Sequence, residues 1–348
     1  MKGKSALRQK DVIDDGPYAV YGASGIIGSM STFQNGARYV AVVKDGAGVG
    51  RASLCSPNTS VLGTMQALIP TEMVLPEYLL HLVRAMRLGE GFSGSTIPHI
   101  YFKDYGQRLV RCVPMAEQER IVGILGSIER QADMLGAQLA KLDVLVKSRF
   151  VEMFGDAGWP VATIGSLATD IRYGTSKKAS GSGQFIYLRM NNMTDDGGLD
   201  FNDVKHIDLS GPELEKCQVI DGDLLFNRTN SREKVGKTAV FHEAEPMVIA
   251  GYIIRVRLGD RVRPDFLSAY MNLPTTKVTL RSIAKGAVHQ ANINSKELSA
   301  IEVPVPPLEF QDRFLSFVVE VDKSRFIVQQ QIERLQTLYD SLAQEYFS

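Results

Sequence analysis

The sequence predicts an α+β fold: two mixed α/β bodies, residues 1–113 and 155–307, each followed by one long helix, residues 114–154 and 308–348. Three observations predict it. A stretch of 41 residues occurs twice, ungapped, at a shift of 193 positions, so Pro114, Gln118, Arg120 and Phe154 meet Pro307, Gln311, Arg313 and Phe347. Both copies carry apolar side chains at alternating steps of four and three and contain no internal proline. The two bodies run through the same order of turn-rich loop, strand pair, short helix and exit strand, which makes the chain an internal pseudo-twofold repeat.

The first body opens with KGKSALRQKDVIDDGPYAVYGASGIIG, rich in glycine and turn residues. ARYVAVVKDGAGVGRASLC follows and reads as two short strands around a glycine turn. Pro76-Glu77-Tyr78-Leu79 opens a short helix, Tyr78 to Met86, with proline in its first turn. SGSTIPHIYFKDYGQRLVRCVP leads through a loop and a strand into the first long helix.

In that helix the four-three steps visit Ile121, Leu125, Ile128, Ala132, Leu135, Leu139, Leu142, Val146, Arg149 and Met153. In the second they visit Phe314, Val318, Val321, Arg325, Val328, Ile332, Leu335, Tyr339, Leu342 and Tyr346. A 3.5-residue spacing held this long predicts a coiled-coil seam. Helices of roughly 40 residues span about 60 Å, more than a globular body needs. Leu125, Leu135, Leu139 and Leu142 are expected to face the other helix.

The second body repeats the order. YGTSKKASGSGQFIYLRMNNM supplies the early loop and strand, and DGDLLFNRTNSREKVGKTAVF the strand pair. Val235-Gly236-Lys237 falls on Val49-Gly50-Arg51, and Pro264-Asp265-Phe266-Leu267 on the helix start at Pro76. VHQANINSKELSAIEVPVPP is the exit, with Ile293 on Ile100 and Lys296 on Lys103. This body begins with Trp159-Pro160-Val161 and Ile164-Gly165-Ser166-Leu167, ahead of Gly174. The first body, aligned through Gly3, has no such opening. It reads as N-terminally truncated by roughly twenty residues of strand and turn.

Composition is that of a globular protein with two or three domains. No apolar run approaches 18 residues and MKGKSALRQK has no signal core, which argues against membrane and secreted classes. Cys55, Cys112 and Cys217 are scattered without metal spacing, as suits a cytoplasmic location. Net charge is zero, but residues 1–113 carry 12 basic and 8 acidic side chains. Residues 155–307 carry 18 of each, and both helices are net acidic. A basic face for phosphate must therefore lie on the bodies.

The VPVPPLEFQDRF segment, its copy VPMAEQERI, the paired long helices and the Trp159 opening with its Ile-Gly-x-Leu resemble the specificity subunit of type I restriction–modification systems. The resemblance covers nearly the whole chain. It implies two target-recognition domains separated by two long antiparallel coiled-coil helices. Each domain would read one half of a bipartite site in double-stranded DNA. The helices would set the spacer and dock two methyltransferase subunits, with restriction/translocase subunits as further partners. S-adenosylmethionine, ATP and magnesium would belong to those partners, and this chain would carry no cofactor and no catalytic residue. Two departures stand out: the absent opening of the first body, and Phe310 near a position where the family usually has glutamate.

Other chemistry is poorly supported. GAGVG at Gly46–Gly50 follows a strand but precedes RASLCSPN rather than a helix, so a glycine turn is favoured over a dinucleotide site. No Walker lysine motif, no Asp-Pro-Pro-Tyr box and no metal-ligand histidine spacing is present. What remains is DNA-contact chemistry on loops. In the second body, Arg228, Asn230, Arg232, Lys234 and Lys237 lie in one loop segment; Lys177, Lys178, Tyr187, Arg189, Asn191 and Asn192 lie earlier; and His289, Gln290, Asn292 and Asn294 precede the exit strand. In the first body the candidates are Lys4, Arg8, Tyr21, Ser24, Lys44, Arg51, Ser95, Thr96, His99 and Tyr101. Arginine and lysine suit phosphate or guanine, and asparagine pairs bidentately with adenine. The alternatives are the specificity protein of a fused-nuclease restriction system, a coiled-coil protein-interaction scaffold, and an S-adenosylmethionine enzyme using the glycine turns.

Overall fold

The computed structural model describes residues 1–94, 97–155, 158–287 and 290–348. In chain order the strands and helices begin β1 Tyr18–Gly22, β2 Gly25–Met30, β3 Tyr39–Val43, β4 Ala52–Cys55, β5 Ser60–Val61, β6 Met65–Leu68, α1 Pro76–Ala85, α2 Phe102–Tyr105 and α3 Met115–Phe154. They continue with β7 Val161–Thr163, α4 Ile164–Leu167, β8 Ala168–Tyr173, β9 Phe185–Leu188, β10 Lys205–Ile207, α5 Gly211–Cys217, β11 Gln218–Val219, β12 Leu224–Asn227, β13 Thr229–Asn230, β14 Thr238–Val240, β15 Met247–Ile249 and β16 Ile253–Leu258. The chain closes with α6 Pro264–Met271, α7 Pro274–Ile283, β17 Lys285–Ala287, β18 Gln290–Asn292, α8 Ser295–Ser299, β19 Glu302–Pro304 and α9 Leu308–Phe347. Two compact units result: Met1–Gln138 with Ile327–Ser348, and Leu139–Phe326. The boundary falls inside α3 and α9, so each unit is a body fused to half of each long helix.

In the first unit β3 is wholly buried and pairs antiparallel with β4 and β6. Its run Tyr-Val-Ala-Val-Val has the continuous apolar character of a strand covered on both faces. The glycine segment after it turns the chain back into β4. Gly50 sits at φ +84°, and a side chain there would strike the Gly89 backbone. A second sheet holds β1 between antiparallel β2 and parallel β5. Ile121, Leu125 and Ile128 of α3 share a core with Tyr339 and Ala343 of α9 and with Tyr78 of α1. Early residues of α3 thus meet late residues of α9, so the helices run antiparallel in this unit. Each such fully buried aliphatic side chain contributes about 1.5–3 kcal/mol.

The second unit repeats this plan and adds to it. β12 lies between antiparallel β14 and β16, and β8 extends the sheet beyond β16. β9 lies between antiparallel β10 and parallel β15, with β11 beyond. β7 pairs antiparallel with β19, and Ile164 and Leu167 just after it are buried. Phe150 and Phe154 of α3 pack with Phe266 of α6 and Phe314 of α9, again an antiparallel meeting of the helices. Phe310 rests on the Trp159 ring at 5.0 Å, so the residue that departs from the family pattern has a packing role.

The twofold repeat reaches individual hydrogen bonds. Gln118 and Gln311 are both fully buried at the starts of α3 and α9. Gln118 accepts from Leu75 N–H at 2.9 Å and donates to Met73 and Val113 carbonyls at 2.8 and 2.9 Å. Gln311 accepts from Arg263 N–H at 2.8 Å and donates to Arg261 and Pro306 carbonyls at 3.2 and 2.7 Å. In both units one carboxamide ties the long helix to the loop that opens the body's short helix and satisfies otherwise orphaned backbone groups. All ten seam positions of each long helix are buried or half-buried, as the spacing predicts. Leu125 is fully buried, whereas Leu135, Leu139 and Leu142 are half-buried. Arg325, at a seam position, pairs with Asp143 of the other helix at 2.7 Å.

Candidate nucleic-acid interface

In the second unit, strand ends carry the polar loops to one cluster. β12 ends at Asn227, and its continuation through Arg228 into β13 pairs with β18 of the exit segment. Thr229 Oγ1 donates to Asn292 Oδ1 at 3.1 Å, and Asn230 Nδ2 to Asn227 Oδ1 at 3.1 Å. The Arg228 guanidinium lies over the Tyr173 ring, 4.8 Å from its centroid, an arrangement that favours a desolvated cation. Its Nη1 reaches Gly251 O only at 3.4 Å, and its Nε is buried without a partner among the described residues. Tyr173 is fixed in turn: its hydroxyl accepts from Ser295 N–H at 2.8 Å and meets Ser295 Oγ at 2.9 Å. The result is an arginine aimed by stacking, with donors to spare, beside Asn230, Asn292 and exposed Gln290.

The other candidates of this unit are dispersed. Arg232 donates to Ala284 O at 3.1 Å, and Lys234 is exposed. Lys237 pairs with Asp195 at 2.6 Å and donates to Met193 O at 3.1 Å, next to Lys277. Burial, reinforced by Arg281 and Lys237, pushes the Lys277 ammonium down to about 8. Lys177 pairs with Glu213, whose carboxyl is held below the usual range by that contact, and Lys178 is exposed. Arg189 pairs with Asp203 at 3.0 Å, and Asn191 is exposed. Tyr187 and Asn192 are buried and spend their polar atoms inside the body. The Tyr187 hydroxyl donates to Thr175 O at 3.0 Å, and the Asn192 amide to Asp200 and Asp203 carbonyls at 2.8 and 3.0 Å. Asn294 caps α8, accepting from Glu297 N–H at 3.0 Å. His289 lies outside the described residues.

In the first unit a cleft of about 540 Å³ is lined by Lys2, Lys44, Gln66, His99, Tyr101 and Lys103. The His99 ring lies 4.0 Å from the Tyr101 ring, tilted by 58°, and is hydrogen-bonded to Asp45. Lys103 Nζ sits 5.2 Å from the Tyr101 centroid. Lysines beside an exposed aromatic ring suit a phosphate backbone with an adjacent base or sugar. Arg51 and Ser24 are exposed on turns, Lys4 is exposed, and Tyr21 is half-buried in β1. Arg8 is tied to Asp11 by a 2.9 Å ion pair. Ser95 and Thr96 lie outside the described residues.

Sequence reasoning missed Tyr173, Tyr252, Thr229, Lys2 and Lys103. Tyr173 and Tyr252 flank glycines and resemble ordinary strand residues. Tyr252 is 51% exposed, and its carbonyl accepts from Arg228 N–H at 2.9 Å. An exposed aromatic beside Gly251, ahead of a buried strand, is the signal that could have found it.

Two α/β bodies on shared antiparallel helices, with arginine, asparagine and aromatic side chains gathered on loops, define a class of modular recognition proteins. The chain belongs to the type I restriction modification DNA specificity domain family, whose model matches residues 157–337, just over half of it. It is 22% identical over 299 residues to the type I restriction enzyme EcoKI specificity subunit of Escherichia coli K12, across 79% of this chain and 64% of that protein. It is 25% identical over 194 residues to the candidate type I restriction enzyme MjaX specificity subunit of Methanocaldococcus jannaschii, across 55% of this chain and 45% of that one. The chain therefore spans less than two thirds of either relative's length. Among solved structures, the S subunit of a type I restriction-modification system from M. genitalium superposes with a TM-score of 0.50 at 16% identity, covering all of this chain and 93% of that one. A chain from a structure addressing complex assembly and conformational transition of the type I R-M system gives 0.56 at 18% identity, covering 99% and 94%. At these identities the likeness is one of fold.

Proposed function

We propose that this chain is the DNA sequence-recognition subunit of a type I restriction–modification complex, and that each unit reads one half of a bipartite site. The observation that carries this is the Arg228 cluster. A stacked, under-used guanidinium beside Asn230, Asn292 and Gln290 offers the donors and acceptors that read base edges in a major groove. The lysine cleft of the first unit is a backbone-binding counterpart. The long helices, common to both units, set the spacer between half-sites and dock two methyltransferase subunits. Val144, Leu145, Val151, Val319 and Phe326 are large apolar side chains exposed on the helices of the second unit, a surface suited to a protein partner. Methyl transfer, cleavage and translocation, with S-adenosylmethionine, ATP and magnesium, fall to partner subunits.

DNA binding by the assembled complex should weaken steeply with salt as phosphate contacts release counterions. The purified chain alone should neither methylate nor cut. Inserting one heptad after Leu139 and one after Ile332 keeps the seam and lengthens each helix by about 10 Å, or about three base pairs of duplex. The expected outcome is a longer gap between unchanged half-sites, or lost binding because the second half-site is rotated away. Full affinity for the original gap, or salt-independent binding, contradicts the proposal.

A further inference from the structure

Apart from the Arg228 cluster, a second group of cations gathers in the second unit where α7 lies along the loop of residues 231–237. Leu280 packs against Gly236, whose backbone sits at φ +85°. Lys277 Nζ donates to Gly236 O at 2.5 Å, and Arg281 Nη2 reaches Glu233 O at 3.4 Å. Lys277 and Arg281, one helical turn apart, thus stand beside Lys234 and Lys237 of the loop. Arg232 ties the end of α7 to the same loop through Ala284 O at 3.1 Å. β17 follows α7 and belongs to the β13–β18–β17 sheet, so this group adjoins the Arg228 cluster. One carboxylate enters it. Asp195 pairs with Lys237 at 2.6 Å, and that contact, with Lys234 and Lys277 nearby, holds its carboxyl below the usual range. The Lys237 side chain is 11% exposed and that of Asp195 72%, so the carboxylate covers the cation from the solvent side. Lys234, Lys277 and Arg281 have no ion pair among the described residues, and neither has exposed Glu233.

From this geometry we propose that Asp195 holds the place of a DNA phosphate, and that a phosphodiester beside the half-site of the second unit displaces it to bridge Lys237, Lys277 and Arg281. This rests on the DNA-reading role proposed above and adds to it a backbone anchor with its own competitor. A carboxylate and a phosphodiester each carry one negative charge and accept charge-assisted hydrogen bonds, so either satisfies Lys237. The phosphodiester gains more, because it also relieves the crowding of like charges at Lys277 and Arg281. Releasing Asp195 to water costs little, since its side chain is already mostly in water. Two consequences follow from the chemistry. Asp195 weakens DNA binding although it sits inside the binding face. Lys277 takes up a proton when DNA binds in mildly alkaline solution: burial, with Arg281, Lys237 and Lys147 of α3 as neighbours and Asp195 opposing them, brings its ammonium down to about 8. A phosphate beside it favours the charged form, so affinity falls as pH rises through that value.

The test uses the assembled complex and a duplex selected from a random pool for tight binding, with affinity measured across salt and pH. Asp195→Asn should tighten binding several-fold, a gain that a damaged fold cannot produce. Arg281→Ala, at an exposed position, should weaken binding several-fold to all sequences alike and lower the salt dependence by about one counterion. Lys277→Met should do the same and remove the fall in affinity above pH 8, whereas Lys277→Arg should keep the affinity and flatten the pH profile. Inorganic phosphate should compete only as any salt of equal ionic strength does. The proposal is overturned if Asp195→Asn binds no more tightly than wild type. It is equally overturned if Arg281→Ala leaves affinity and salt dependence unchanged, or if inorganic phosphate displaces the duplex beyond its ionic-strength effect, which would make the site one for a free anion. Wild-type binding that ignores salt would overturn the DNA-reading role and this anchor with it.

Discussion

The two units dock onto the long helices by matching contacts and share a strand plan, but differ in what is built upon it. Gln118 and Gln311 make matching sets of three hydrogen bonds, and Tyr78 meets Phe347 as Phe266 meets Phe154. Their outer parts diverge. The second unit carries a fourth strand on its main sheet, an exit strand paired with β7 and the β13–β18–β17 sheet that positions Asn292; the first offers a lysine cleft. A fixed mount with variable loops lets recognition change without disturbing the frame that holds it.

If the mount is truly repeated, damage to it should be large and local. Phe314→Ala, in the fully buried ring cluster of the second unit, should cost about 3–5 kcal/mol, and Ile121→Ala at the matching place in the first about 2–5 kcal/mol. Hydrogen exchange should rise mainly in the unit that carries the substitution. Equal loosening of both units by either change would break the comparison.

A second difference lies inside the mount. His81 of α1 is buried, with Nδ1 2.8 Å from the Tyr339 hydroxyl, and burial lowers its pKa from 6.5 to about 4. The second unit has Ala269 at this place. Below pH 6.5 the unfolded chain takes up a proton that folded His81 refuses until about pH 4. The contribution of His81 to the stability of the first unit is therefore full above pH 6.5, falls between those values and changes no further below. The loss should approach about 3 kcal/mol. His81→Leu should flatten that dependence in the first unit and leave the second unit's profile as it was.

Gln118→Ala and Gln311→Ala should each cost about 1–3 kcal/mol by stranding buried backbone groups. Similar costs in both sharpen the idea of one repeated mount; a neutral substitution in either would show that its three bonds are dispensable.

The mount was legible in the sequence because it is periodic. Four-three spacing holds at every seam position, and the ungapped repeat alone aligns Gln118 with Gln311. The loops were legible only in part. FNRTNS and QANIN do come together, through β13 and β18. Tyr187 and Asn192 look like contact residues in the string YLRMNN, yet both are buried, because burial is decided by packing from distant segments. Tyr173 and Tyr252 carry no local signal: a tyrosine at a strand end looks like any other strand residue, and only the sheet shows which end opens beside Arg228. In the first body the pattern of small turn residues gave no sign that Lys2, Lys44 and Lys103 converge.

The measurement that tests the account most directly is position-by-position DNA affinity of the assembled complex, for the wild type, Arg228→Ala and a Lys44→Ala/Lys103→Ala pair. Arg228→Ala should relax one or more positions of a single half-site by about 1–3 kcal/mol and leave the other half untouched. The lysine pair should weaken binding uniformly across sequences and flatten its salt dependence. Loss of discrimination at both half-sites from Arg228→Ala, or no change from either variant, would contradict the assignment of separate halves to separate units.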